Sequence, residues 1–123
     1  MSQLLLSIKP VYVNSIFSGK KIYEYRKCKC RDGVKKIVFY STSPVKLVVG
    51  EAIIERIIEG SPEEVWNLTK DFSGIDRNFF DNYFHGKEKA FAYKLSDVKK
   101  YTTPKKIEEL GISKVPQSFC YIK

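Results

Sequence analysis

At 123 residues, 43% hydrophobic and 14% aromatic, the chain is sized for one domain with its own core, which excludes a disordered chain. Three cysteines and a single histidine exclude a disulfide framework and leave no zinc ligand set, so neither metal nor cofactor is expected. Lys and Arg outnumber Asp and Glu by 22 to 14, and the resulting net charge of +8 favours an anionic partner.

The opening MSQLLLSIKP has three consecutive leucines before Lys9 and Pro10, far short of a signal-peptide core or a membrane span. No membrane association is expected, and with few cysteines the expected location is the cytoplasm. Residues 3 to 8 read as a short buried strand. Pro10 then opens a helix, because its fixed φ suits the first turn, and Val13, Ile16 and Phe17 recur at helical spacing before Ser18-Gly19 ends it. Residues 22 to 26 read as a strand, Arg31-Asp32-Gly33 as a turn, and residues 34 to 42 as the antiparallel partner of that strand.

Residues 47 to 58, rich in Val and Ile, form a long strand with Gly50 at a bulge. Ser61-Pro62-Glu63-Glu64 is a capping box with proline at the first helical position, so a helix carrying Val65, Trp66 and Leu68 follows, with Trp66 read as core. Ile75, Phe79, Phe80, Tyr83 and Phe84 form a second helical stripe, read as packing, that ends at Gly86. Residues 90 to 95 return to strand, Thr103-Pro104 caps a last short helix to Leu110-Gly111, and residues 118 to 122 are the final strand. The order β-α-β-β-β-α-α-β-α-β gives an α+β domain over residues 1–123, with a helical insert at about 61–86. Short, mostly antiparallel strands hide their edges best in a small closed or half-closed barrel with peripheral helices.

Charge is unevenly spread. Lys20, Lys21, Arg26, Lys27, Lys29, Arg31, Lys35 and Lys36 face only Glu24 and Asp32 within one short stretch, whereas residues 51 to 64 carry five glutamates and Arg56. This pattern predicts one face for a polyanion and another for solvent.

Leu5-Leu6-Ser7-Ile8-Lys9-Pro10 leading into Gly19-Lys20-Lys21-Ile22-Tyr23-Glu24-Tyr25-Arg26 is similar to a strand, helix and G-x-K-x-x-E/T-x-R signature. Together with residues 38 to 50 and with Pro116 to Tyr121, these stretches resemble the ASCH family, whose fold is a PUA-like β-barrel. The resemblance implies a cleft that takes RNA, a nucleotide or a nucleobase, built from Lys21, Glu24 and Arg26 with Lys9, Ser43 and Ser118 as neighbours. Some relatives resemble amidohydrolases acting on acylated cytidine, which use a Thr at the place held here by Glu24, so that hydroxyl nucleophile is absent.

Residues two apart on a strand share a face, so Glu24 and Arg26 are natural partners. Their fork and carboxylate suit a phosphate and a base edge, or else a structural ion pair at a barrel end. Lys27, Lys29, Arg31, Lys35 and Lys36 form a phosphate-tracking patch, or alternatively an edge kept soluble by lysines. Tyr23, Tyr25 and Tyr40 either stack bases or serve as barrel wall. The leading expectation is RNA or nucleotide binding with a regulatory role, DNA remaining open as a second polyanion. Two alternatives stand beside it. One is a ribonuclease or nucleobase amidohydrolase using Lys21 and Glu24 for proton transfer; the other is a protein-interaction module with an acidic partner.

Overall fold

The computed structural model describes residues 3–122. Strand β1 (Gln3–Ile8) explains its own run of leucines: Leu4, Leu6 and Ile8 join the main core, while Leu5 on the opposite face joins a second cluster with Val38, Val48 and Ile107. A strand buried on both faces cannot alternate, and it reads as continuous hydrophobicity. Lys9 sits at the N-cap of α1 (Pro10–Phe17), Pro10 takes the first turn, and the helix buries Val13 and Ile16. Gly19, at φ 82°, turns the chain out of the helix.

The remaining strands are β2 (Tyr23–Arg26), β3 (Lys36–Ser41), β4 (Leu47–Gly60), β5 (Ala90–Lys105) and β6 (Phe119–Ile122). Among the described residues they make one sheet in the order β2-β5-β4-β3-β1-β6. Only β1 and β3 run parallel; the other neighbours are antiparallel. The strand at residues 22 to 26 was expected to pair with β3, and this is corrected: β2 pairs with β5, Glu24 opposite Tyr93 and Arg26 opposite Phe91, while β3 lies between β1 and β4. The Asp-Gly turn therefore connects distant strands and does not close a hairpin. Gly50 does sit at register shifts, and a Cβ there would stand 2.5 Å from the Lys99 carbonyl oxygen and 2.6 Å from the Phe17 ring.

Helices α2 (Pro62–Thr69) and α3 (Arg77–Tyr83) cover the outer face of β2 and β5. Ser61 Oγ accepts from the Glu64 amide, and the Glu64 carboxylate accepts from the Ser61 amide, completing the capping box. Val65, Phe80 and Phe84 pack on Tyr23, Tyr25 and Ala92, with the half-buried Trp66 beside them. The helix expected after Pro104 is also corrected. Strand β5 continues through Pro104 to Lys105, and only a 3-10 turn, Ile107–Leu110, follows. No helix among the described residues is long and apolar enough to cross a membrane.

Candidate functional site

Strands β2 and β6 are the two ends of the sheet, and among the described residues no ladder joins them. The sheet curls far enough that the Arg26 side chain spans the seam. Its Nη1 donates to Ser118 Oγ at 3.0 Å and its Nη2 to the Ser7 carbonyl oxygen at 3.1 Å. From the same strand, Glu24 Oε2 accepts from Arg26 Nε at 3.0 Å and lies 2.9 Å from Nη2. Glu24 and Arg26 thus share the face that carries Tyr93 and Phe91 into the core, as period-two geometry requires.

Lys21 lies just before β2 and is only 3% exposed. Its amide donates to the Ser15 carbonyl oxygen at 3.1 Å, while the Ile22 amide donates to that of Phe72 at 3.0 Å. The ammonium donates to the Ser73 carbonyl oxygen at 2.7 Å, stands 3.9 Å from Glu24 Oε1, and lies 4.9 Å from the Tyr25 ring centroid. Burial holds its pKa below the ordinary lysine value, against the pull of Glu24 and with a further push from Arg26. Gly74 makes this burial feasible. At φ 71° it passes over Lys21 so closely that a Cβ would stand 2.5 Å from Lys21 Cβ.

These three side chains form the polar end of a cavity of about 260 Å³ in the seam. Ser7, Ile8 and Lys9 supply one wall from the end of β1, and Tyr12 another from α1. Tyr25, Ile75, Phe79 and Tyr83 complete the apolar side. Two cations against one carboxylate leave the buried cluster with one excess positive charge, and no second carboxylate stands within ion-pair distance of Lys21 or Arg26 among the described residues. The Tyr25 hydroxyl, 2.7 Å from Thr69 Oγ1, is pushed up to about 12 by burial. Among the described residues no group of three or more His, Cys, Asp and Glu is placed to hold a metal ion.

Of the expected site residues, Lys9, Lys21, Glu24 and Arg26 meet at this cavity, and Ser118 touches it through Arg26. Ser43 does not: it is exposed in the turn after β3 and lines neither this cavity nor the groove beside it. Lys27 lies 4.6 Å from the Tyr83 ring centroid, and Arg31 lies 3.6 Å from that of Tyr121. Lys35 is exposed. Lys29 pairs with Glu59 at 3.3 Å and Lys36 with Glu51 at 2.8 Å, so the expected separation into a cationic and an acidic face is corrected. The glutamates of β4 interleave with those lysines and neutralise part of the patch.

The apolar stripe of residues 75 to 84 was read as packing, and Ile75, Phe80, Tyr83 and Phe84 do pack in the cluster around Tyr25. Phe80 and Phe84 are buried, but Ile75, Phe79 and Tyr83, four residues apart, face the cavity. Two registers in one stripe were the available signal. Tyr12 carried no such signal, because its neighbours Val13 and Ile16 already account for the buried face of α1. Tyr23, Tyr25 and Tyr40 are all buried wall residues, and only Tyr25 reaches the cavity.

The family described as Domain of unknown function (DUF365) matches residues 4–115. The chain is 31% identical over 121 residues to Large ribosomal subunit protein uL22 of Ureaplasma parvum serovar 3, covering 98% of this chain and 39% of that protein. The same 121 residues are 31% identical to the ATP synthase subunit alpha of that organism, covering 98% of this chain and 15% of the relative. The chain thus spans a minority of each, and their names differ in kind. It is 32% identical over 96 residues to the ASCH domain-containing ribonuclease of Zymomonas mobilis, covering 77% of this chain and 65% of that protein. The crystal structure of ASCH from Zymomonas mobilis superposes with a TM-score of 0.88 at 28% identity, covering 98% of this chain and 87% of that chain.

Proposed function

Because the chain belongs to the ASCH domain family, with its PUA-like fold, we propose that it binds single-stranded RNA and takes one nucleotide into the seam cavity. The observation that carries this reading is the buried Lys21, Glu24 and Arg26 cluster at the polar end of an aromatic-walled cavity. A base has two apolar faces and a polar edge, and the cavity offers the complement of both. Glu24 Oε1, free of Arg26, accepts from a ring or exocyclic N–H; the Lys21 ammonium donates to a neighbouring carbonyl or ring nitrogen. The excess positive charge, the exposed Lys9 on the cavity wall and the exposed Lys27 in the adjoining groove suit the phosphates.

A purely structural ion cluster is the competing account, and its energetics are unfavourable. Apolar side chains of similar volume close such a seam without the desolvation cost of three buried charges. Titration of the chain with a short labelled RNA at low and moderate salt tests the proposal. Salt-dependent binding weakened by Lys9→Ala and Lys27→Ala is expected; binding indifferent to salt and to both variants would reject it.

A second reading, RNA cleavage in the same cavity, is favoured by the name of the Zymomonas mobilis relative and by the depressed pKa of Lys21. An ammonium of lowered pKa at a phosphodiester can stabilise developing negative charge or give a proton to the leaving oxygen. Glu24 is the adjoining proton acceptor. Turnover of RNA that disappears in Glu24→Gln supports this role, and unchanged turnover rejects it.

A further inference from the structure

Arg26 is a wall with a hollow on each side. The groove beyond it, about 490 Å³, is lined by Lys27, Cys28, Gln117, Ser118 and Phe119, and it shares only Arg26 and Tyr83 with the first cavity. We propose that this groove is a second nucleotide subsite. The ligand is then an RNA of at least two consecutive nucleotides whose linking phosphodiester lies at the Arg26 guanidinium. The inference rests on the RNA reading above and makes it specific: the unit recognised is a dinucleotide step and not a nucleoside.

Three features of the groove argue for this occupant. Two aromatic side chains line it, Tyr83 from α3 and Phe119 from β6, so a base entering the groove meets one ring from a covering helix and one from the sheet edge. Lys27 is held 4.6 Å from the Tyr83 centroid, and no carboxylate is among the residues lining the groove, whose charged members are Lys27 and Arg26. The exposed Gln117 amide can both donate to and accept from a base edge.

The wall itself suits a phosphodiester. A guanidinium has five N–H donors, and Glu24 and the Ser7 carbonyl oxygen take those of Nε and Nη2. Nη1 is left with a neutral, exposed hydroxyl, Ser118 Oγ at 3.0 Å. A phosphate oxygen replaces that hydroxyl with a charge-assisted bond and no desolvation of a competing ion pair. An acidic peptide would use the cations but offer no flat partner to the Phe119 ring.

Competition tests the proposal. Labelled single-stranded RNA bound to the chain is displaced by a nucleoside 5′-monophosphate or by a dinucleoside monophosphate with one internal phosphodiester. The mononucleotide carries more charge, so any advantage of the dinucleotide cannot be electrostatic. The dinucleotide is expected to compete at about tenfold lower concentration, as one further stacked base implies. Gln117→Ala and Phe119→Leu, the latter keeping apolar bulk in the barrel wall, should each shrink that advantage. A dinucleotide no better than the mononucleotide, an advantage untouched by both variants, or equal displacement by an acidic peptide would overturn the second subsite while RNA binding stands. Failure of the labelled RNA to bind at all removes the RNA reading and the subsite together.

Discussion

Arg26 Nη1 donates to Ser118 Oγ at 3.0 Å across 92 residues of sequence, joining the two edges of a sheet that share no backbone ladder among the described residues. The barrel is thus clasped by a side chain where a closed barrel would have a row of amide bonds. A seam held in this way has room beside the clasp, and the cavity and the groove described above both lie there. The function proposed for the chain grows out of this incomplete closure.

The clasp should be costly to remove and cheap to replace. Arg26→Ala takes away the close partner of Glu24 and leaves it only the Lys21 ammonium at 3.9 Å, and the loss expected in chemical denaturation is about 3 kcal/mol. Arg26→Met combined with Glu24→Gln and Lys21→Met removes all three buried charges and should recover most of that loss. If the triple variant is as unstable as Arg26→Ala, the three residues are not coupled as the geometry requires.

Gly74 should tolerate no side chain. Its positive φ and the 2.5 Å approach of a Cβ to Lys21 both oppose Gly74→Ala, with an expected cost of about 1–3 kcal/mol or an outward shift of the covering segment. Gly86, with φ 77° and nothing within 4 Å of its Cβ, serves as the reference for strain alone, about 1–2 kcal/mol. Reactivity of Lys21 toward an amine-modifying reagent should rise in Gly74→Ala and stay unchanged in Gly86→Ala.

Lys21 should impose a pH dependence of defined sign. Burial lowers its folded pKa below the unfolded value of 10.5, so between those limits the unfolded chain binds more protons than the folded one. Its contribution is most favourable above 10.5 and is lost as pH falls toward the folded value. Stability measured by denaturation should therefore change more favourably with rising pH in the wild type than in Lys21→Met within that window, on top of the opposite trend that the raised pKa values of the buried tyrosines give to both. Equal slopes would mean that the ammonium is not desolvated.

The basic stretch should divide into two kinds of lysine. Lys36 is engaged with Glu51, so Lys36→Ala should cost up to about 1 kcal/mol of stability and change RNA affinity little. Lys27, in the groove beside the cavity with no carboxylate partner among the described residues, should behave the opposite way. Lys27→Ala should lower the dependence of log affinity on log salt by about 0.7, the value for one contact to a single strand.

Local chemistry made much of this fold legible in the sequence. The Pro10 helix start, the Ser61 to Glu64 capping box and the Gly50 bulge are decided by residues within a turn of each other, and each is present. Strand pairing is decided elsewhere. Tyr23 to Arg26 could pair with any antiparallel strand, and the partner it took, Phe91 to Lys94, lies far along the chain. The Pro104 signal misled because a proline is also accommodated in an exposed strand limb, where its missing amide leaves no bond unmade. Glu24 and Arg26 could be named because spacing within one strand gave them a common face, and Lys21 through its place in the G-x-K-x-x-E/T-x-R signature; Tyr12, Phe79 and Tyr83 join them only through tertiary packing.

The location of bound RNA is the most direct measurement. A short single-stranded RNA with photoreactive bases, crosslinked to the intact chain and mapped by mass spectrometry, should mark the seam: residues 7–12, 21–27, 75–83 and 117–119. Crosslinks confined to the exposed lysines of β5, from Lys99 to Lys105, would show that charge alone attracts RNA and would contradict the account.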